Sequence, residues 1–333
     1  MALIIQKFGG TSLGEPSSQE CLCGKVMAAR AGGDEVVLVV SAMGRRGDPY
    51  ATDTLLDLLA EVPGGTDPLI SDLMASSGEV VSACIIAALL NSKGIRAMPM
   101  TAYTAGIPAE GPFGDSSAKP IDPSRIRAVL AAGFVPVVTG FQGVDPEGRI
   151  HTFGRGGSDT SAVAIGAALG ADFVDIYKDV PGVAKADPRV IPDAPFMEFL
   201  DYDSMFRLAK HGARVLHDKS AILARDHGVK IRVRSTFDEG TGTLIGPLVD
   251  GDEVPDFIGM ATGPGPDSSL MVTAVFAPLS EGHGVSKAMN IAAVSGFEVK
   301  YVNSGDRSSA AFMCEATVGK EFARRLFAEL MEK

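Results

Sequence analysis

HTFGRGGSDTSAVAIGAALG, running from His151 to Gly170, is the stretch whose reading decides the fold. It opens with a glycine turn, Gly154-Arg155-Gly156-Gly157. Ser158 and Asp159 follow, and either is a favoured helix N-cap. An apolar, alanine-rich run then reads as a buried helix, closed by Gly170 as a C-cap. A fresh helix N-terminus offers free N–H groups and partial positive charge, and the glycines let backbone approach a bound group. Arg155 adds a fixed fork of donors suited to a carboxylate or a phosphate. The stretch reads either as an ordinary capped turn or as an anion site, and the density of Gly, Arg, Ser and Asp favours the anion site.

Outward from it, apolar runs alternate with helical patterns. LIIQKF at 3–8, VVLVVS at 36–41, FVPVVT at 134–139 and FVDIY at 173–177 read as strands covered on both faces. Helices are expected over about 17–31, 52–60, 79–92, 123–132, 203–210 and 219–227. IRAMPM at 95–100 is a further strand, 103–120 a surface loop or short hairpin, and VKIRVRS at 229–235 a half-exposed strand. That order implies an α/β protein with an open, mainly parallel sheet between helices. In such sheets ligands bind at the carboxyl ends of the strands. Gly9-Gly10, Ser41-Ala42, Gly140-Phe141-Gln142 and Lys178-Asp179 all follow strands and should converge there. A turn-rich linker is expected over 240–256, and 255–333 then reads as a small βαββα module.

The totals narrow the classes. The chain has 333 residues, 46% of them hydrophobic, with a formal net charge of −11. The acidic balance argues against nucleic-acid binding. No stretch is expected to reach the ~20 apolar residues of a membrane span, and MALIIQKFGG enters a strand without a signal-peptide pattern. Cys21, Cys23, Cys84 and Cys314 are scattered and read as reduced thiols of a cytoplasmic protein, with no metal set. P-loop and dinucleotide fingerprints are absent.

Individual residues carry two readings each. Lys7 ends a buried strand beside two glycines, and either snorkels to solvent or meets a phosphate over Gly9-Gly10. Glu79 either complements the dipole of a helix it starts or grips a substrate ammonium. Asp187-Pro188-Arg189 is a salt-bridged turn or part of a binding loop. Arg207, Lys210, Arg214 and Lys219 form a solvated basic face, from which one member could reach a nucleotide. The residues alone point to a phosphate handler.

Several motifs, in order, carry a family likeness. KFGGTS at 7–12, VSAMG at 40–44, SGE at 77–79, GFQG at 140–143, FGRGGSDT at 153–160, DVPGV at 179–183, DPR at 187–189 and LAKHGARVLH at 208–217 resemble aspartate kinases of the amino-acid kinase family. The likeness runs over about residues 3–246. It implies a catalytic domain over 1–246, a single ACT-like regulatory or dimerisation module over 255–333, and phosphoryl transfer from Mg-ATP to the side-chain carboxylate of L-aspartate. It implies catalytic roles for Lys7 and Asp159, and acceptor contacts from Thr52, Glu79, Arg155 and Ser158. Gly9, Gly10, Ser41, Lys178, Asp179, Asp187, Arg189 and Arg214 would serve the nucleotide. ATP and Mg²⁺ are the implied cofactors, and a homodimer the implied assembly.

Three departures fall on the nucleotide side. Lys178 stands where the family has threonine, Ala184 where an aromatic is usual, and Arg214 where lysine is usual. The C-terminal module has room for one unit where relatives carry two, so weak or absent feedback inhibition by lysine or threonine is expected. A kinase of a related acidic amino acid, and a catalytically inactive amino-acid or nucleotide sensor, remain as alternative readings.

Overall fold

The computed structural model describes residues 1–249, 254–278, 282–303 and 305–332. Strands in chain order are β1 (Leu3–Phe8), β2 (Glu35–Val40), β3 (Ala97–Met100), β4 (Ala109–Glu110), β5 (Ser117–Ala118), β6 (Val135–Thr139), β7 (Gln142–Val144), β8 (Ile150–Thr152), β9 (Phe173–Lys178), β10 (Phe199–Asp201), β11 (Ile231–Ser235), β12 (Thr243–Gly246), β13 (Phe257–Pro264), β14 (Leu270–Phe276), β15 (Val299–Val302) and β16 (Ser309–Cys314). Helices are α1 (Pro16–Ala31), α2 (Thr52–Ala60), α3 (Pro68–Ser92), α4 (Ala102–Ala105), α5 (Ser124–Ala131), α6 (Gly157–Leu169), α7 (Tyr202–Lys210), α8 (Asp218–His227), α9 (His283–Val294) and α10 (Ala316–Met331).

The β-branched runs make an 8-stranded sheet in the order β10-β12-β11-β9-β1-β2-β6-β3. Its ladders are parallel except between β11 and β12. Ile5, Val37, Val39 and Ile176 face α6 and α8 in one apolar layer. Phe8, Val36, Leu38 and Val40 face α1 and α3 in another. Burial on both faces is why these strands read as continuous apolar runs. The chain leaves β1 through α1 to β2 on one side and returns through α6 to β9 on the other. The carboxyl ends of β9, β1 and β2 therefore frame the point where the winding reverses, the natural cleft of such a sheet.

The structure corrects four expectations. α3 begins at Pro68, not Glu79, with Asp67 as N-cap accepting from the Leu69 N–H. Glu79 lies mid-helix, so it does not complement a helix start. α3 also holds an 18-residue window of mean hydropathy 1.9, long and apolar enough for a membrane span by length and composition. Yet 50% of that window is buried in the protein. The helix also carries buried Asp72 and Glu79, which a lipid environment would penalise. The expected linker over 240–256 contains β12, an antiparallel partner of β11, while 250–253 lie outside the described residues.

The C-terminal part is a 4-stranded antiparallel sheet in the order β13-β14-β16-β15, backed by α9 and α10. The βαββα run is present, but β13 precedes it and was not legible as a strand. β13 is tied to the larger sheet's loops: the Met260 N–H donates to the Lys185 carbonyl at 2.6 Å. Ile258 and Val275 belong to the same apolar cluster as α7.

Candidate active site

Lys7 lies in the middle of the sheet, with Val39 and Ile176 as its neighbours across the ladders. On that face it points towards the first turn of α6. Its ammonium meets Asp159 Oδ1 at 2.5 Å, and both side chains are 5% exposed. Lys178, the last residue of β9, places its Nζ 3.1 Å from Asp159 Oδ2. One buried carboxylate thus holds two ammonium groups, one on each oxygen. Lys7 does not snorkel to solvent.

Local sequence explains how Asp159 reaches this position. Ser158 and Asp159 are not the N-cap; Gly156 is, in a left-handed conformation with φ 72°. A side chain there would be strained and would run into His217. The left-handed turn starts the helix two residues before a Ser158 cap would, and drops Ser158 and Asp159 into its first turn, both buried. Their own amides lack intrahelical partners, so positive potential surrounds the carboxylate. Burial alone would raise Asp159, but the Lys178 and Lys7 ammonium groups outweigh it and hold the carboxyl down at about 2. Burial presses Lys7 downward, against the pull of Asp159.

Glu79 enters from α3, on the opposite layer, and reaches the carboxyl edge of the sheet. Its Oε1 accepts the Ala42 N–H at 2.9 Å, while buried Oε2 has no hydrogen-bond partner. Burial pushes its carboxyl up to about 8, against the Ala42 N–H and the Lys7 charge. Once ionised, a buried, half-satisfied carboxylate of this kind needs a cation to complete it. Arg155 is exposed at the rim and engages no partner among the described residues. Gly10 packs so closely on the 41–51 loop that a Cβ would come 2.6 Å from the Gly44 carbonyl oxygen. Ser41 and Thr52 are half-buried near this edge, and no side-chain hydrogen bond ties them to the cluster.

A cavity of about 460 Å³ opens beside the cluster, bordered by Lys178, Asp179, Asp187, Arg189, Arg214 and Met260. Asp187 is paired with Arg189 at 2.6 Å, so the salt-bridged turn and the lining loop are one feature. Of the basic group, Arg214 borders the cavity. Lys219 pairs with Asp115, and Arg207 approaches Asp306. Gly9 and Gly10 sit beside Lys7 rather than on this cavity.

Several further residues support these charges. Buried Asp72 accepts from Gly114 N, Thr152 N and Thr152 Oγ1 at 2.7–2.9 Å, pinning loop 111–116. A Cβ on Gly154 would lie 2.7 Å from Asp115 Oδ1, so that loop rests on the Arg155 turn. His151 bridges Asp145 and Ser116 and stacks on Phe113 beneath it. Phe141 holds φ 70°, a strained value for a bulky residue, and its N–H donates to Ser161 Oγ in α6. Arg45 borders the cavity and pairs with Asp179 at 3.3 Å. Of these, Phe141 lies in the GFQG run at 140–143, and Asp72 carried a signal as a charge inside an apolar helical run.

Comparison with known proteins bears on the family and the fold. Residues 2–235 match the family model described as the amino acid kinase family. Aspartokinase 1 of Bacillus subtilis is 41% identical over 245 residues, covering 74% of this chain and 61% of that protein. An aspartokinase of Thermus thermophilus is 37% identical over 337 residues, covering 97% of this chain and 78% of that protein. This chain therefore spans under two thirds of the Bacillus relative and more of the Thermus one. Among solved structures, E. coli aspartokinase III in complex with aspartate and ADP superposes with a TM-score of 0.81 over 99% of this chain and 100% of that one, at 18% identity. The aspartate kinase of Synechocystis gives 0.65 over 97% of this chain and 54% of that one, at 32% identity. The chain belongs to the amino acid kinase family, on its aspartokinase branch.

Proposed function

We propose that the protein transfers the γ-phosphoryl group of ATP to the side-chain carboxylate of L-aspartate, giving 4-phospho-L-aspartate and ADP. The observation that carries this is the pair of ammonium groups on Asp159, set between a buried half-satisfied Glu79 and a cation-lined cavity. Relatives named aspartokinase, one of them solved with aspartate and ADP, support it.

In this reading Glu79 accepts the acceptor's ammonium, and Arg155 clamps its α-carboxylate bidentately. Ser158 and Thr52 add hydroxyl contacts. A carboxylate oxygen attacks the γ-phosphorus while the bond to the β–γ bridging oxygen breaks, and ADP leaves with that electron pair. The nucleophile is already ionised near neutrality, so no general base is needed. Phosphoryl transfer of this kind depends on positioning and charge neutralisation. Lys7, held by Asp159, supplies that charge. Gly9, Gly10 and Ser41 would lie along the phosphates, and Asp179, Asp187, Arg189 and Arg214 would hold the nucleotide and its phosphates from the cavity side.

Among the described residues no three Asp, Glu, His or Cys side chains group as a metal site. Mg²⁺ carried on the ATP phosphates needs only one or two carboxylates besides phosphate and water. Asp179 and Asp187 are the carboxylates on the cavity. When bound, the ion would neutralise phosphate charge.

Residues 1–246 would then be the catalytic domain and 255–333 an ACT-like unit serving dimerisation of a cytoplasmic enzyme. Lysine and threonine would inhibit weakly or not at all; a sub-millimolar inhibition constant for either overturns that part. The whole reading is tested by trapping product with hydroxylamine across L-aspartate, L-glutamate and related acids. Aspartyl hydroxamate in preference to the others is expected. ATP-dependent product from another acid alone would move the acceptor, and no product with any acid would favour a sensor.

A further inference from the structure

Lys178 is singled out by its position. The phosphoryl-transfer cluster and the cavity are separate groups of residues, and Lys178 belongs to both. It borders the cavity, and it pairs with Asp159. Lys7 is 5% exposed at its side chain, whereas Lys178 is 21% exposed. The Lys178 ammonium is therefore the one that can meet a group lying in the cavity while still anchored to Asp159. Arg214 also borders the cavity, but it is exposed, and no hydrogen bond or ion pair joins it to Asp159. Its charged neighbour there is Asp187, whose carboxyl it helps hold down after the larger effect of Arg189.

Two residue choices in this chain bear on that geometry. Lysine stands at 178 where threonine is usual in the resembling family, and arginine stands at 214 where lysine is usual. A lysine is a compact point charge on a flexible stem, while arginine is a rigid fork suited to a fixed phosphate. The charge that changes place during transfer is on the γ-phosphoryl oxygens, and a mobile ammonium can follow it.

We propose that Lys178 is a catalytic residue of this chain: with Lys7, and oriented by the same Asp159 carboxylate, it contacts the transferring phosphoryl group, leaving Arg214 to bind the nucleotide's non-transferring phosphates. The two ammonium groups flank the phosphoryl as its bond to the bridging oxygen breaks and its bond to the acceptor oxygen forms. Neither lysine gains or loses a proton in that step. This rests on the kinase reading above.

The test compares Lys178→Met, which keeps the aliphatic stem, and Lys178→Thr with Arg214→Ala in the full chain. Turnover with Mg-ATP and L-aspartate is read beside calorimetric binding of ADP, of a non-hydrolysable ATP analogue and of adenosine. For both Lys178 variants kcat should fall by on the order of 10²-fold, as for removal of one preorganised charge donor. The ATP analogue should bind about tenfold more weakly, a loss of about 1.4 kcal/mol, with adenosine unchanged. For Arg214→Ala the loss should fall on ADP affinity and the KM for ATP more than on kcat.

A Lys178→Met protein with kcat within about threefold of the parent, or a kcat loss that follows Arg214 instead, would overturn the proposal. If the parent chain itself shows no turnover, the kinase reading fails. The analogue–adenosine comparison then still decides whether Lys178 meets the terminal phosphate. Should Lys178→Thr unfold, Lys178→Met carries the same readouts; and if both unfold, Lys178 is a structural ion-pair partner and the proposal is overturned.

Discussion

The two sides of the cleft are built differently. On the acceptor side, Lys7, Glu79, Ser158 and Asp159 are all buried on regular strands and helices, with Lys7 and Asp159 fixed by each other and Glu79 by backbone. On the nucleotide side, Arg45, Asp179, Arg189 and Arg214 are exposed, and the Arg45–Asp179 and Arg189–Asp187 pairs face water. Buried charges act at short range in a low-dielectric setting and cost much to leave unpaired. Exposed pairs are screened and contribute little each. Chemistry should therefore depend steeply on single acceptor-side residues, and nucleotide affinity should be spread over many.

The largest expected effect is at the centre of that contrast. Lys7→Ala should lower kcat by on the order of 10²–10³-fold, the loss seen when one preorganised electrostatic contact is removed. Steady-state turnover checks it, and a near-normal kcat would remove Lys7 from the mechanism.

Glu79 should give the next largest effect, and it titrates. With its carboxyl pushed up to about 8, the free protein carries a proton there at neutral pH, and only the ionised form pairs with an ammonium. The KM for aspartate should fall as pH rises from 6 to 8. Glu79→Gln should raise KM and flatten that dependence. The sign for stability is opposite. A carboxyl whose folded value is raised costs the fold progressively as pH climbs from its ordinary range to about 8, and Glu79→Gln should remove that slope from unfolding curves. Asp159 acts the other way: held at about 2, it stabilises at higher pH, and that contribution is lost as pH falls towards 2.

Much of this was legible in the sequence, for a physical reason. Strands buried on both faces are continuous apolar runs, so β1, β2, β6 and β9 and the loops after them could be read in order. The elements that escaped are short or lack pattern. β12 and β13 follow segments rich in glycine or proline that read as turns, yet β12 pairs with β11 and β13 with β14. The start of α3 was marked by Asp67-Pro68, a capping signal hidden behind Pro63-Gly64-Gly65. The candidate charges could be named from the chain. That Lys7 and Lys178 share one carboxylate could not, because the two lysines lie 171 positions apart in the chain (178 − 7 = 171).

Smaller effects sharpen the same contrast. Asp72→Ala strips acceptors from Gly114 N and from both polar groups of Thr152, so a loss of about 2–4 kcal/mol is expected. Denaturant unfolding measures it. The KM for aspartate should rise with it, since the released loop rests on the Arg155 turn. A change in the KM for ATP alone would contradict the assignment of that loop to the acceptor side. Arg189→Ala, at a pair whose arginine is 66% exposed, should change stability by less than about 1 kcal/mol and raise the KM for ATP only a few fold. A loss of kcat as large as that of Lys7→Ala would erase the distinction between the two sides.

The most direct test follows oxygen. L-aspartate carrying ¹⁸O in its side-chain carboxylate is turned over with Mg-ATP and the product trapped with hydroxylamine, which expels the phosphate with its bridging oxygen. If the carboxylate attacks phosphorus at the Lys7–Asp159–Lys178 cluster, the released phosphate carries one ¹⁸O by ³¹P NMR in the parent protein, and Lys7→Ala forms far less of it. Phosphate without the label would mean that water, not the acceptor, receives the phosphoryl group, and would contradict the account.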